Sequence, residues 1–513
     1  MSQIKQGTHD NEEKYATLIN NAGAVRAICS AVEGTLGPKG LDTMLVGAHG
    51  EVIITNDGVT ILEQMDVTHP AARLLIQVAR AQQLQVGDGT TTATVLAGAM
   101  IAEGVAQVTR GVPVAKVVRG IQDGVARALE SFRERARIIE GCDDPMLHRI
   151  AFIAGREQHD IARLIIDAVR QLGDDKLKEE GFRFSELVTA HGKTASEVWP
   201  GLLIPKVPMN SQLDFEPFTG PVLVLQDALE PETLDEEALM TESGFQTYLQ
   251  LREQFRASLE KLTDLRIGLI VADRGVDPEA EQFCTDHGIM ILQRVPRSEL
   301  RRICEYTGAK PVRRGALKKP VTDLPVYLGH AGYIAYDERM ECVRIKQGNG
   351  KMTASVVVGA STSEIVGERL RIAKDAASAV QAALKGGYLP GGGAVEISVA
   401  HQLDRYRETV QGMEGFGVSA AAQALRKPLA QIVVNAGYNP LEKVEEVKAA
   451  QIARNIDSIG IDCDTGLTID CLEAGIVDPA PVKLHALEAA AEVATAVLRI
   501  HTVIKMRSDS TED

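Results

Sequence analysis

Apolar side chains recur at helical spacing over most of the first 137 residues. Tyr15, Leu18, Ile19, Ala22, Val25, Ile28 and Val32 mark one amphipathic helix, with Thr8, His9 and Asp10 as its capping cluster. A second helical run covers 71–86. A third, through Val95, Ala97, Gly98, Met100, Ile101 and Val105, opens directly after it. Between the first two, the alternating runs 41–46 and 51–55 flank Gly47-Ala48-His49-Gly50 and predict a β-hairpin.

Past a break at Gly141-Cys142-Asp143-Asp144-Pro145 the helical pattern resumes over 146–172, then a polar stretch runs over 173–193. From Trp199 the texture changes. Short β-rich runs at 221–226, 267–272 and 289–292 alternate with a helix opened by Asp277-Pro278 and another capped by Ser298. That order reads as an α/β domain with mixed strands. Inside it, 231–262 carries acidic runs followed by Phe245, Tyr248, Leu249, Leu251 and Phe255, a pattern that fits a protruding helical arm. Helix returns over 364–384, is broken at Asn435-Ala436-Gly437-Tyr438, and ends in a helix over 486–500 and an apolar strand over 503–506.

The chain has 513 residues, too many for one core, and suggests about three domains. It is 45% hydrophobic with a polar N-terminus, which reads as a soluble cytoplasmic protein with no membrane partner. A net charge of −15 argues against nucleic acid. The seven cysteines form no CxxC pair, as suits a reducing compartment.

The candidate chemistry lies in glycine loops. Gly87-Asp88-Gly89-Thr90-Thr91-Thr92 sits between two helical runs, where glycines permit close approach and a helix N-terminus offers free N–H groups to an anion. Asp88 there would repel a bare phosphate unless a hard divalent cation stood between them. No lysine follows the glycines, so Walker logic does not apply. Gly34-Thr35-Leu36-Gly37-Pro38-Lys39-Gly40, Asn56-Asp57-Gly58 and Gly391-Gly392-Gly393 are further loops of this kind, and Asp375 lies mid-helix. Each alone also reads as an ordinary turn or cap.

Together with Val477-Asp478-Pro479, these motifs appear in the order and at the spacing of the chaperonin family, and the resemblance runs from about residue 7 to 506. The insert at 231–262 resembles the helical protrusion of group II chaperonins, which carry their own lid. The resemblance implies a multi-domain α and α/β fold. A mainly helical equatorial domain is expected from 1–138 with 390–513, and a small α/β intermediate hinge from 139–197 with 355–389. An α/β apical domain is expected from 198–354. It also implies a site for ATP and Mg2+, with K+ as a further candidate. Thr35, Leu36, Gly37 and Pro38 would line the adenine and phosphate side. Gly89, Thr90, Thr91 and Thr92 would cradle phosphates beside Asn56, and Asp88 would hold the metal. Gly392 would pack under the ribose, Asp478 would contact ribose or base, and Asp57 and Asp375 would activate water. Arg156 stands where group II members commonly carry a lysine, in a shortened loop, and the tail 507–513 is acidic. Both fit a divergent group II-like branch such as the one found in some bacteria.

The implied function is an ATP-driven folding chamber of stacked rings acting on unfolded clients without a separate co-chaperonin. The joint presence of Asp57, Asp88 and Asp375 favours it over a holdase with little turnover. A group I-type chaperonin needing a separate lid is a further alternative. A small-molecule kinase or phosphatase lacks the expected lysine and catalytic-loop motif.

Overall fold

The computed structural model describes residues 3–504 apart from 211, 213–215 and 234–240. In chain order it begins with α1 (Gln3–Val32) and the hairpin β1 (Thr43–Val46) and β2 (Val52–Thr55). Helices α2 (Gly58–Gln64), α3 (Pro70–Gln85), α4 (Thr90–Thr109), α5 (Val114–Arg135), α6 (Pro145–Ala154) and α7 (His159–Lys178) follow. Next come β3 (Val188–Gly192), β4 (Glu197–Trp199), β5 (Gly201–Ile204), β6 (Phe218–Leu225), α8 (Glu242–Asp264), β7 (Leu269–Ala272) and α9 (Pro278–Asp286). After them lie β8 (Met290–Leu292), α10 (Arg297–Thr307), β9 (Gly329–Asp337), β10 (Cys342–Gly348), β11 (Ser355–Ala360) and α11 (Ser363–Gly386). The last stretch holds β12 (Tyr388–Pro390), α12 (Ala394–Thr409), α13 (Glu414–Asn435), α14 (Pro440–Arg454), β13 (Ile459–Ile461), β14 (Thr468–Asp470), β15 (Val477–Pro479) and α15 (Ala480–Leu498).

Two compact units emerge, one from Met1–Ile166, Asp174–Glu186 and Leu370–Asp513, the other from Asp167–Gly173 and Leu187–Arg369. The first is helical. Its centre is α4, packed against α1, α3, α13 and α15 through Ala93, Leu96, Ala97, Met100 and Ile101, all essentially inaccessible. This helix is long and apolar enough to cross a membrane by length and composition, but most of its surface is buried in the protein core. That all-round apolar character is what a core helix needs.

In the second unit the six strands run in the order β5-β10-β9-β6-β7-β8, with β6, β7 and β8 parallel and the others antiparallel. Alternation along β6 divides its apolar residues. Val222 and Val224 join the layer with Leu300, Ile303 and Tyr306 of α10. Leu223 and Leu225 join the opposite layer with Phe255, Leu259 and Leu262 of α8. A sheet covered on both faces reads as continuous apolar runs, as these strands do.

The stretch 146–172 is two helices, because Arg156 (φ 51°) and Glu157 (φ 60°) take left-handed conformations that end α6. Several expectations are corrected. The N-cap of α10 is Pro296, not Ser298. The first helix starts at Gln3, ahead of the Thr8 cluster, and α15 starts at Ala480 rather than 486. Of the expected strand over 503–506, Val503 and Ile504 are irregular and 505–506 lie outside the described residues. The arm is only half an arm. In α8, Phe245 and Leu249 are 52% and 45% exposed, whereas Phe255, Leu259 and Leu262 are core.

At the α5–α13 contact the two backbones approach closely through glycines. A Cβ on Gly417 would fall on Val117 O and within 2.7 Å of Gly120 Cα. Alanine at 417 would gain about 1 kcal/mol of helix propensity. Against backbone atoms that cannot rotate away, overpacking costs about 1–3 kcal/mol or more. Gly417→Ala is therefore expected to lower the melting temperature by several degrees. A thermal melt showing equal or higher stability would disprove this crossing.

Candidate functional site

The junction of α3 and α4 sets the site. Helix α3 closes with the N–H groups of Val86 and Gly87 on Gln82 O (3.0 and 3.1 Å). The chain then turns through Gly87 (φ 80°) and Gly89 (φ 78°), left-handed positions open to glycine at no steric cost. A side chain at Gly89 would also meet Val482 Cγ1 at 2.5 Å. Gly89 is the N-cap of α4 and supplies no side-chain cap. The first N–H to bond back is that of Ala93, to Gly89 O (3.0 Å). Those of Thr90, Thr91 and Thr92 precede the helical ladder and are open to an external acceptor.

Two loops face this helix end. Asp57 caps α2, its Oδ2 accepting from Thr60 N (3.1 Å) and Thr60 Oγ1 (2.5 Å). Gly58 packs so close to Thr91 that a Cβ there would lie 2.5 Å from Thr91 Oγ1. The Thr35-Leu36-Gly37 loop is held by Asn435, whose Nδ2 donates to Glu33 O and Leu36 O (both 2.8 Å).

These parts enclose a cavity of about 240 Å³ lined by Thr35, Leu36, Gly37, Asn56, Asp57, Gly58, Asp88 and residues 89–92. Ile153, Ala154, Arg156, Asp375, Asp478, Val482, Lys483 and Ala486 complete the wall. The structure thus brings together the predicted residues from five separate stretches, all within the first unit. Pro38 and Gly392 are not among the lining residues. Gly392 (φ 62°) lies in the loop between β12 and α12, next to Gly391, whose N–H donates to Ile476 O (2.9 Å) just ahead of β15 and Asp478. A larger hollow of about 860 Å³ lies between α1, α4, α13 and α14 on a floor of Ala22, Gly23, Gly98 and Ala99. It has no glycine turn at a helix start, unlike the smaller cavity.

Asp88 is half-buried, and its Oδ1 accepts from Gly89 N (2.6 Å). Burial pushes its pKa up from an ordinary 3.8 to about 6. The Gly89 N–H works against the rise, Asp478 and Asp57 add to it, and Arg156 opposes it. Opposite, Lys483 Nζ is shared by Glu396 Oε1 (2.6 Å) and Asp478 Oδ2 (2.8 Å). Burial disfavours this ammonium, but Asp478 and Glu396 outweigh it and hold the charge well above the usual lysine range.

Mg2+ and a nucleotide fit these residues. Asn56 Oδ1 is buried without a partner in the protein, and the α4 N–H groups are open. Among the described residues no three His, Cys, Asp or Glu side chains cluster tightly enough to cage a metal. Mg2+ needs no such cage, because it is commonly held by one or two carboxylates plus phosphate oxygens.

Sequence reasoning missed the bracing. Gln82 Nε2 donates to Asp88 O (2.7 Å) and Val482 O (3.1 Å), and its Oε1 lies 2.7 Å from His485 Nδ1, which must carry the proton. Lys483 and Glu396 were missed as well. Only a lysine inside an apolar helical pattern, the fourth residue of α15, could have hinted at them.

The profile of the TCP-1/cpn60 chaperonin family matches residues 28–508. A thermosome subunit alpha from Thermoplasma acidophilum is 32% identical over 537 residues, covering 99% of this chain and 94% of its own length. One from Halobacterium salinarum is 31% identical over 501 residues, covering 94% and 87%. A crystal structure of a group III chaperonin in the open state superposes with a TM-score of 0.87 at 43% identity, covering 96% of this chain and all of that one. A profile match over most of the chain, relatives of this length and a shared fold agree: the chain belongs to the TCP-1/cpn60 chaperonin family, as a group II-like member.

Proposed function

We propose that this chain is the subunit of an ATP-dependent chaperonin that encloses unfolded proteins in a double ring closed by its own lid. The observation that carries this reading is the convergence of Asp57, Asp88 and Asp375 on the uncapped start of α4 in one cavity. Chaperonin family members are ATPases. Residues 1–138 with 390–513 form the equatorial domain, 139–197 with 355–389 the hinge, and 198–354 the apical domain. The α4 N–H groups and the Thr90, Thr91 and Thr92 hydroxyls bind phosphates, Thr35 to Pro38 and Gly392 receive the nucleoside, and Asp478 holds the ribose or base. Bound Mg2+ supplies positive charge against the phosphates and is anchored by Asp88. Asp57 and Asp375 orient the attacking water and take its proton, because phosphoryl transfer asks mainly for positioning and charge. Steady-state ATPase measured with and without unfolded protein tests the whole reading. No turnover in either case would leave a holdase.

General-base removal costs about 10²–10⁴ in rate. Asp375→Ala is expected to keep Mg·ATP affinity and cut hydrolysis at least that far. Asp88→Asn is expected to lose Mg-dependent affinity and to gain stability without ligand. The sign follows from the raised pKa. The folded state disfavours the carboxylate, so stability falls as pH rises from 3.8 to about 6, and the penalty is fully present above that. A nucleotide-free melt at pH about 7.5 is expected to show Asp88→Asn above the parent. Asp375→Ala turning over normally, or Asp88→Asn melting lower, would overturn these roles.

The hairpin exposes Met44, Val46, Val52 and Ile54, and a two-stranded sheet is marginal alone. Strands from a neighbouring subunit complete it, the exposed Val503 and Ile504 among them. Deleting 503–513 is expected to shift gel filtration toward monomers, and a full-size ring from the truncated chain would refute this.

The exposed start of α8 is the lid. Replacing 234–250 by a Gly-Ser linker spares Phe255, Leu259 and Leu262, so the second unit stays folded. ATPase activity and assembly are expected to persist while protease protection of an enclosed client is lost. An intact protein that folds clients only with an added lid protein would overturn the built-in lid.

A further inference from the structure

Resting on the nucleotide site just proposed, we infer that Lys483 is a positioning residue for the nucleotide, locking Asp478 in place through a buried ion triad with Glu396. Three observations support it. Lys483 and Glu396 are 6% and 3% exposed at their side chains, and Asp478 is 33% exposed on the cavity wall. Taking ions out of water costs several kcal/mol each, and a pair of this kind is weak evidence for stability on its own. Balancing Glu396 would need only one contact, whereas Nζ makes a second to Asp478 Oδ2.

That second contact fixes what the backbone does not. Strand pairing sets Leu389 opposite Asp478 and anchors the main chain, but leaves the side-chain rotamer open. With Oδ2 held by Lys483, Oδ1 is left for a ligand hydroxyl or amine at the cavity wall. Glu396 Oε2 has no partner within the protein, so Glu396 is anchored through Oε1 alone and the lysine is the hub of the triad.

The test uses the full-length protein with Lys483→Met combined with Glu396→Gln, so that no buried charge is left unpaired. Loss of a charged hydrogen bond to the nucleotide predicts a KM for ATP about tenfold or more higher, with kcat within about threefold. Lys483→Arg keeps the charge but puts a bulkier planar cation into the buried site, and is expected to raise KM by a smaller factor at unchanged kcat. It serves if the double variant does not assemble. A wild-type KM in a folded variant would overturn the inference, as would a loss of kcat at unchanged KM. A parent protein that binds no Mg·ATP at all would instead overturn the nucleotide site on which the inference rests.

Discussion

A carboxylate held against an uncapped helix N-terminus is the constraint on which the first unit depends. The start of α4 needs an anion, and Asp88 stands there, but half-buried near Asp57 and Asp478 it resists carrying its charge. Neither need is met from within the chain. The surrounding structure keeps the arrangement from relaxing. Gln82 clamps the loop carbonyl to α15, and the apolar body of α4 fixes the helix axis. Sites that store unfavourable electrostatics persist where packing over-determines them, and such tension is typical of function.

The second unit answers a different requirement. Its sheet is covered on both faces, so it has a rigid core of its own from which α8 projects. The same helix is core at one end and exposed at the other, and that gradient makes a lid possible. An arm apolar throughout its length would collapse onto the body, and one polar throughout would have nothing to bury against a neighbour. Only the exposed half is available for the differential contact that a ligand-driven switch would require.

Much of this was legible in sequence, for physical reasons. The hairpin, α3, α9 and α11 follow from periodicity and turn chemistry, and the glycine loops marked the cavity because only glycine serves there. What was hidden depends on partners remote in sequence. Phe255 reads like Phe245, and only the sheet decides that one is buried. The break at Arg156 and Glu157 carries no proline or glycine after Gly155 to announce it, since the left-handed residues are charged ones. Gln82, Glu396 and Lys483 look like unremarkable polar positions until α3, α12 and α15 are folded around the site.

The charge balance of the cavity bears on the form in which the proposed ligand would bind. Asp57, Asp88, Asp375 and Asp478 line it against Arg156 and Lys483, four negative side chains to two positive, a formal excess of two negatives at neutral pH. A free nucleotide tetra-anion meets this excess at short range, where screening by salt is weak. The helix N-terminus offers only about half a unit of positive charge in return. Anion and carboxylates can share the space only if a divalent cation enters with the phosphates. A nucleotide bound here as proposed would therefore enter as its metal complex, without any dedicated metal cage, because the cation offsets the excess of carboxylates.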